Sequence, residues 1–516
     1  MKSPSLFHRL WFTLEKRKYA LAAICISLAA RSVPEILSWP YPLGLDTLRY
    51  IPFIREGRVF SLGFHGFLSR TSLFYLTATL LYVLIRDEFM VIKVLGPVLH
   101  GALSLMLYLY AKRALGWSCR KSLLASILTS IYFVSLRISW DLYRQMLGFT
   151  FMMVAFTALK SLGHLRKYYV ACILMALTVL SHELAAVTMF FAVGFEILNS
   201  LRKKLKKDAA YLIASVSLSA FLFLFQRYSP KKSSIIIPTY YTAPVPSLDL
   251  AMHIVGLLIY CYVFILPLSI LGMLSLKDLL LRCWTILCVG IPALTLLNPV
   301  SSLPVWNRWI YLLVYPLGFY ATEGLWRLWG LYSSFKGDFK SFAPKFVATV
   351  CLSAILMLSG CYLVMAPEHA FPYFSQYNPF LMHIPSSMLQ STVSIKDEPS
   401  LVKCLEWLDQ NADESSVIVA HYALYDWAVI KIHDKPIIPV RPEGSMWEHI
   451  QNESSLVEKM VESMEEALAN GYSKVYTVWW VDEKGWYGIP GLPSQFVEVK
   501  RFGDMGVFQY EPEMRC

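Results

Sequence analysis

Long apolar segments are the feature that most constrains what this chain can fold into. Between residues 19 and 365 the sequence repeatedly runs through stretches of roughly twenty apolar residues, the length at which a helix crosses the hydrocarbon core of a bilayer. Of its 516 residues, 56% are hydrophobic and only 16% are charged, whereas about a quarter of the residues in a soluble domain are charged. The pattern predicts an integral, multi-span α-helical membrane protein with about 11 spans, including 122–138 and 250–275.

The basic residues set the predicted orientation of these spans. The lysines and arginines behind the net charge of +11 fall in short clusters between the apolar segments, such as Lys112–Arg113 and Arg202–Lys207. This arrangement favours a topological role over binding to nucleic acid. Placing the clusters in the cytoplasm predicts a plasma-membrane protein with a cytoplasmic N-terminus. It also places residues 71–86 in the outer interface or in a re-entrant segment; the alternative, that 71–86 crosses the membrane, stays open.

The composition divides the chain into three parts. Residues 1–365 form the predicted transmembrane domain, with a long first outer loop at 40–89. Residues 366–395 are rich in proline and aromatic residues and predict an irregular connector. Residues 396–516 have a mixed, globular composition. Residues 398–411 and 447–470 have helical spacing, and 417–420, 474–478, 496–502 and 506–510 have strand patterns, which predicts a small extracytoplasmic α/β domain.

Several ionisable residues that are far apart in the sequence fall at the predicted outer ends of the spans. Charged groups at that depth are costly unless they are paired or functional. For any one of them, a side chain that snorkels to the interface is an adequate explanation, and we adopt that explanation for Arg31, Lys93 and Arg137. The convergence of the remaining set predicts a functional site: Asp46, Asp141, Arg144, His182, Glu183 and Arg308.

These residue types suit group transfer from a lipid-linked phosphate, whose tail lies in the bilayer and whose phosphate lies at the interface. Predicted substrate-binding residues are Arg49, Arg144, His182, Lys231, Lys232 and Arg308, because cations and hydrogen-bond donors hold phosphate oxygens. The predicted catalytic carboxylates are Asp46, Asp141 and Glu183, with Asp46 as the base that deprotonates an acceptor hydroxyl. Alternatively, Asp46, Asp141 and His182 hold a divalent metal, Mg²⁺ or Mn²⁺, that offsets the charge of the leaving phosphate.

The order of these motifs resembles the GT-C superfamily of membrane glycosyltransferases. Gly44-Leu45-Asp46 is similar to its first-loop acidic motif, Asp141 to its second-loop acid, and residues 71–113 to its short outer helix followed by a span. The resemblance is to the branch of protein O-mannosyltransferases, lipid A aminoarabinose transferase and archaeal relatives. It implies an inverting transfer of a sugar from a dolichyl- or polyprenyl-phosphate donor to a glycan, lipid or protein acceptor, with the first-loop carboxylate as base.

The tail resembles the start of the soluble domain of the oligosaccharyltransferase catalytic subunit, in the stretch 405–411 and the strand that follows. That family continues with Trp-Trp-Asp-Tyr-Gly, but here residues 421–427 read His-Tyr-Ala-Leu-Tyr-Asp-Trp. The missing motif implies addition of a single sugar instead of transfer of a whole glycan to asparagine.

Two alternative functions stay open. The protein could be a transporter or flippase for a lipid or glycan, or a non-catalytic membrane assembly protein. A transporter predicts internal repeats and charges within spans, whereas the charges here lie mainly at span ends.

Overall fold

The computed structural model describes residues 6–228, 247–297, 306–334, 339–364, 393, 395–440, 453–481 and 491–512. These residues form two compact units. The first contains the described residues up to Leu37 and those from Phe53 to Val364. The second contains Ser38–Pro52 together with the described residues from 393 onward. The segment that holds Asp46 therefore belongs to the same unit as the C-terminal tail.

Every regular element in the described part of the chain up to Val364 is a helix. In order, the helices are α1 (Leu6–Leu37), α2 (Leu45–Arg55), α3 (Arg58–Ser61), α4 (Gly63–Leu68), α5 (Leu73–Ile85), α6 (Glu88–Arg113), α7 (Cys119–Ile131), α8 (Phe133–Asp141), α9 (Tyr143–Ser161), α10 (His164–Ser181), α11 (Glu183–Arg202), α12 (Lys206–Tyr228), α13 (Ser247–Tyr262), α14 (Leu266–Met273), α15 (Leu279–Leu297), α16 (Trp306–Leu312), α17 (Val314–Ser334) and α18 (Phe339–Val364).

Among the described residues, four helices are long and apolar enough to cross a membrane: α1, α6, α11 and α12. The count rises to six if the bent pairs α7–α8 and α13–α14 are each one span. The class predicted from the sequence, a helical membrane protein, agrees with this architecture, while the number of about 11 spans stays a prediction. Helix α5 is a shorter apolar helix, so its place in the interface also stays a prediction.

The two segments expected to be single spans, 122–138 and 250–275, are instead broken helices. They bend by 62° between α7 and α8 and by 89° between α13 and α14. A tyrosine at each break forms hydrogen bonds with carbonyl oxygens of other helices. Tyr132 donates to Cys261 O at 2.5 Å, and the Tyr262 hydroxyl lies 2.7 Å from Ile310 O and 3.0 Å from Tyr311 O. Non-helical backbone is tolerated at membrane depth where it is buried in protein, and hydropathy alone does not report such breaks.

The second unit is built around a five-stranded mixed sheet. Its elements after the helical part are α19 (Glu398–Asn411), β1 (Ser416–His421), α20 (Tyr422–Lys431), β2 (Ile437–Val440), α21 (Glu453–Ala469), β3 (Lys474–Trp480), β4 (Phe496–Phe502) and β5 (Met505–Tyr510). The strand order is β2-β1-β3-β5-β4, with β1 parallel to both neighbours and β5 antiparallel to both of its own. The predicted α/β character of this region is confirmed.

The sheet is covered by helices whose apolar faces form the core of this unit. Leu401, Leu405 and Leu408 follow helical spacing on α19 and are buried. Trp427 on α20 and Trp479 on β3 are fully buried. The parallel arrangement of β1 with β2 requires a crossover, which α20 supplies. This crossover places residues 422–431 directly after the carboxyl end of β1.

Candidate active site

A buried ion pair lies at the end of the short helix α8. Arg137 and Asp141 are one turn apart, so their side chains share a helix face. The Arg137 guanidinium donates to both carboxylate oxygens of Asp141, at 2.7 and 3.0 Å. The two residues are only 4% and 3% exposed. Arg137 was expected to snorkel to the interface; the structure corrects this, because the guanidinium is needed to offset the charge of a buried carboxylate.

A second cluster of ionisable residues lies where α10 ends and α11 begins. His182 caps α11, and Glu183 is its first residue. Arg144, in the first turn of α9, lies with its Nη2 4.0 Å from Glu183 Oε1 and its guanidinium over the Tyr75 ring, 5.6 Å from the centroid. The opposite charges and the aromatic face hold the arginine at this junction.

Helix α9 reaches this junction because of a glycine. A Cβ on Gly148 would lie 2.9 Å from Ala185 Cβ and 3.0 Å from His182 Cβ. Any larger residue would force α9 away from the start of α11. Gly148 follows Arg144 by about one turn, so the close approach also sets the position of that arginine.

Arg308 belongs to the same junction. It is half-buried near the start of α16, where its backbone N–H donates to Asn307 Oδ1 at 2.9 Å. Both Arg308 and Arg144 lie near enough to His182 to act on it electrostatically. The first unit therefore brings together four of the residues that the sequence singles out: Arg144, His182, Glu183 and Arg308. Two guanidinium groups and one carboxylate leave a net positive charge, which suits an anionic group.

A third buried network was missed in the sequence. Arg31 donates to Glu35 Oε1 at 2.6 Å, to Ser139 O at 3.1 Å and to the Tyr143 hydroxyl at 3.2 Å. Lys93 donates to Glu35 Oε2 at 3.2 Å. Arg31 is fully buried and Lys93 is 6% exposed, so neither snorkels as expected. Arg31 and Glu35 are four residues apart, and this spacing was the available signal for a helix ion pair.

The second unit holds Asp46 in a separate cluster. Arg49 donates to Asp46 Oδ1 at 3.2 Å, to Asp426 Oδ2 at 2.9 Å and to the Tyr422 hydroxyl at 3.2 Å. Burial lowers the pKa of the Arg49 guanidinium, but Asp46, Asp426 and Tyr422 raise it by more, so the net pKa lies above its usual value. Arg49, a predicted phosphate ligand, makes these bonds within the protein, and they join the first-loop carboxylate to α20. Its predicted contact with a substrate stays a prediction.

Asp46 and Asp141 fall in different units, so their predicted convergence on one site stays a prediction. Lys231 and Lys232 lie outside the described residues. In the part of the chain that the structure describes, no group of three or more His, Cys, Asp or Glu side chains is placed to hold a metal ion. Asp141 directs both oxygens to Arg137, and His182 lies near Arg144 and Arg308. The predicted metal role of Asp46, Asp141 and His182 stays a prediction.

No protein-family model matches this chain, and no curated protein matches it. Among solved structures, the Archaeoglobus fulgidus oligosaccharyltransferase is similar. Its apo form has a TM-score of 0.50 and 13% identity over 91% of this chain and 70% of that chain. Its complex with Zn and sulfate has a TM-score of 0.50 and 12% identity over 90% and 68%.

The chain has a GT-C-like fold. At this level of identity the likeness extends to the fold alone. The predicted fold is thereby supported, whereas membership of the superfamily and of its O-mannosyltransferase and aminoarabinose-transferase branch stays a prediction. The zinc in one of these structures belongs to that protein, and a divalent metal in this chain also stays a prediction.

Proposed function

We propose that this protein is an inverting glycosyltransferase that moves a sugar from a dolichyl- or polyprenyl-phosphate donor to a glycan, lipid or protein acceptor at the outer membrane face. The observation that supports it most is the cationic group at the α10–α11 junction, within a fold similar to an oligosaccharyltransferase. A lipid-linked phosphate needs such positive charge beside helices that contact the bilayer.

In the proposed reaction, Arg144 and Arg308 hold the donor phosphate. The oxygen of the acceptor hydroxyl attacks the anomeric carbon, the bond from that carbon to the phosphate oxygen breaks, and the configuration inverts. Positive charge at the phosphate stabilises the negative charge that develops on the leaving group. Asp46 accepts the hydroxyl proton as general base. No step of this reaction runs through a metal.

Arg49 has a different role in this proposal from the one expected from the sequence. Its planar guanidinium forms a fork that binds Asp46 on one side and Asp426 on the other. It positions the base relative to α20. The acceptor then binds beside α20, at the place in the chain where the resemblance expects the acceptor-binding motif of oligosaccharyltransferases.

Transfer of labelled sugar from defined polyprenyl-phosphate sugars, in proteoliposomes that contain the full chain, tests this function. We expect Asp46→Asn to lower the rate by about 10²–10⁴-fold, the usual contribution of a general base. Asp504→Asn is the matched control, since Asp504 is exposed in the turn between β4 and β5. Equal transfer by wild type and Asp46→Asn would contradict the proposal. Arg308→Gln should weaken donor binding, which is measured as a higher KM for the donor.

A further inference from the structure

A polar cavity of about 150 Å³ lies at the opposite end of the helices from the candidate site. Lys160, at the end of α9, lines it, whereas Arg144 lies at the start of the same helix. Lys160 follows Arg144 by sixteen positions, a rise of about 24 Å, close to the thickness of a bilayer core. The cavity therefore lies near the other membrane face, which the distribution of basic residues predicts to be cytoplasmic.

Lysines from three helix ends line this cavity: Lys160, Lys167 and Lys203. Lys160 forms an ion pair with Asp278, which also accepts hydrogen bonds from the Tyr110 hydroxyl and from the backbone N–H of Leu281. The charge of Lys160 is therefore already offset within the protein. Lys167 and Lys203 are the lysines of the cavity wall for which the structure gives no carboxylate ion pair.

The cavity also contains the carboxylates of Glu196 and Asp208. Asp208 accepts a hydrogen bond of 2.7 Å from the Tyr168 hydroxyl. The segment at its rim, Arg202–Lys207, contains five basic residues and no acidic residue. Its positive charge outweighs the two carboxylates, so the mouth of the cavity attracts anions.

Two neutral polar residues complete the polar part of the wall. Asn199 and Ser200 lie in the last turn of α11 and line the cavity beside Lys203. An amide, a hydroxyl and ammonium groups together match a phosphate ester, whose oxygens accept several hydrogen bonds at once. The space holds a single phosphate headgroup and excludes a folded macromolecule.

Exposed apolar residues close in the chain to the cavity-lining residues indicate that the ligand comes from the bilayer. Leu165, Tyr169, Leu198 and Leu201 lie within two positions of lining residues and are all about half exposed or more. Clustered exposed leucine and tyrosine at the end of apolar helices are typical of contact with the membrane interface. A lipid whose acyl chains lie against these residues would place its headgroup beside Lys167.

We propose that this cavity binds the phosphate headgroup of an anionic membrane phospholipid. Basic pockets between transmembrane helices on the cytoplasmic side are a physical match for such headgroups. The site is separate from the candidate active site and is independent of the proposed glycosyl transfer. Its ligand is a constituent of the membrane and not a substrate.

Native mass spectrometry of the full chain in nonionic detergent, titrated with phosphatidylglycerol, tests this site. We expect one lipid to bind per chain, at least tenfold more tightly than phosphatidylcholine. Lys167→Gln/Lys203→Gln should weaken phosphatidylglycerol binding by about 30-fold, which corresponds to about 1 kcal/mol for each lysine. Lys403→Gln/Lys500→Gln is the control: it removes the same charge from exposed positions on α19 and β4, and should change binding by less than about threefold.

Asn199→Leu keeps every charge and should weaken binding by about tenfold through the lost hydrogen bond to phosphate. The melting temperature of Lys167→Gln/Lys203→Gln shows whether that variant folds. If it does not fold, binding by Asn199→Leu tests the proposal in its place. Equal losses in the two lysine pairs would overturn the proposal in favour of a diffuse surface charge. Displacement of the lipid by millimolar inorganic phosphate, or equal binding of phosphatidylcholine, would also overturn it.

Discussion

The buried ion pair of Arg137 and Asp141 allows a direct test of how much pairing of buried charges contributes to the stability of this fold. Replacing Arg137 with methionine leaves the Asp141 carboxylate, only 3% exposed, without the guanidinium that donates to both of its oxygens. Removing one partner of a buried ion pair costs about 3–5 kcal/mol, because the remaining charge stays desolvated. At about 2–4 °C per kcal/mol for a large unit, Arg137→Met should lower the melting temperature by about 6–20 °C.

The double variant Arg137→Met/Asp141→Leu separates ion pairing from packing. Replacing both partners with apolar residues of similar volume removes the unpaired charge, so most of the stability should return. Thermal unfolding of the purified full chain in detergent, followed by circular dichroism, measures both variants. Arg166→Gln is the control for losing an arginine, since Arg166 is exposed on α10, and it should change the unfolding free energy by no more than about 0.5 kcal/mol.

Two results would refute this reasoning. One is a change of less than about 2 °C for Arg137→Met, which would mean that water or another group compensates Asp141. The other is a double variant that is no more stable than Arg137→Met alone, since removing the second partner of a coupled pair should restore stability.

Three further predictions follow from individual contacts. Gly148→Ala should destabilise the protein by about 1–3 kcal/mol, because its Cβ would meet α11 at 2.9 Å; thermal unfolding measures this. Arg49→Lys should lower transfer by about tenfold through loss of the fork to Asp46, with less than about 1 kcal/mol of lost stability; initial rates and unfolding together check it. Burial raises the pKa of Asp409, but hydrogen bonds from His433 lower it by more, to below its usual value. Asp409→Asn should therefore be less stable than wild type at pH 6, and the difference should disappear as the pH falls below about 4, as unfolding across pH shows.

The tail shows which local patterns were enough for prediction and which were not. The sequence predicts a helix over residues 398–411, and α19 has the same bounds. Strands at 417–420, 474–478, 496–502 and 506–510 correspond to β1, β3, β4 and β5. The strand β2 was missed, since it is only four residues long and contains a proline. The helix α20 was missed because its apolar residues lack a clear helical period.

The candidate site shows the limit of the same approach. The positions of Arg144, His182, Glu183 and Arg308 near span ends followed from hydropathy, and the first unit brings them together. The interaction partners of these side chains could not be predicted from hydropathy, because an ion pair depends on which helices pack together. Arg49 bonds to Asp426, 377 residues away, and no pattern in the sequence connects them.

The sequence by itself determined that this is a helical membrane protein with a small α/β region, because hydropathy and periodicity are properties of contiguous residues. Only the tertiary structure decided which helices are broken, which charges are buried in pairs and which face the candidate site. Those features depend on the close approach of distant segments, such as α9 against α11 at Gly148. The free energy of a buried charge is set by the groups around it and not by its neighbours in the chain.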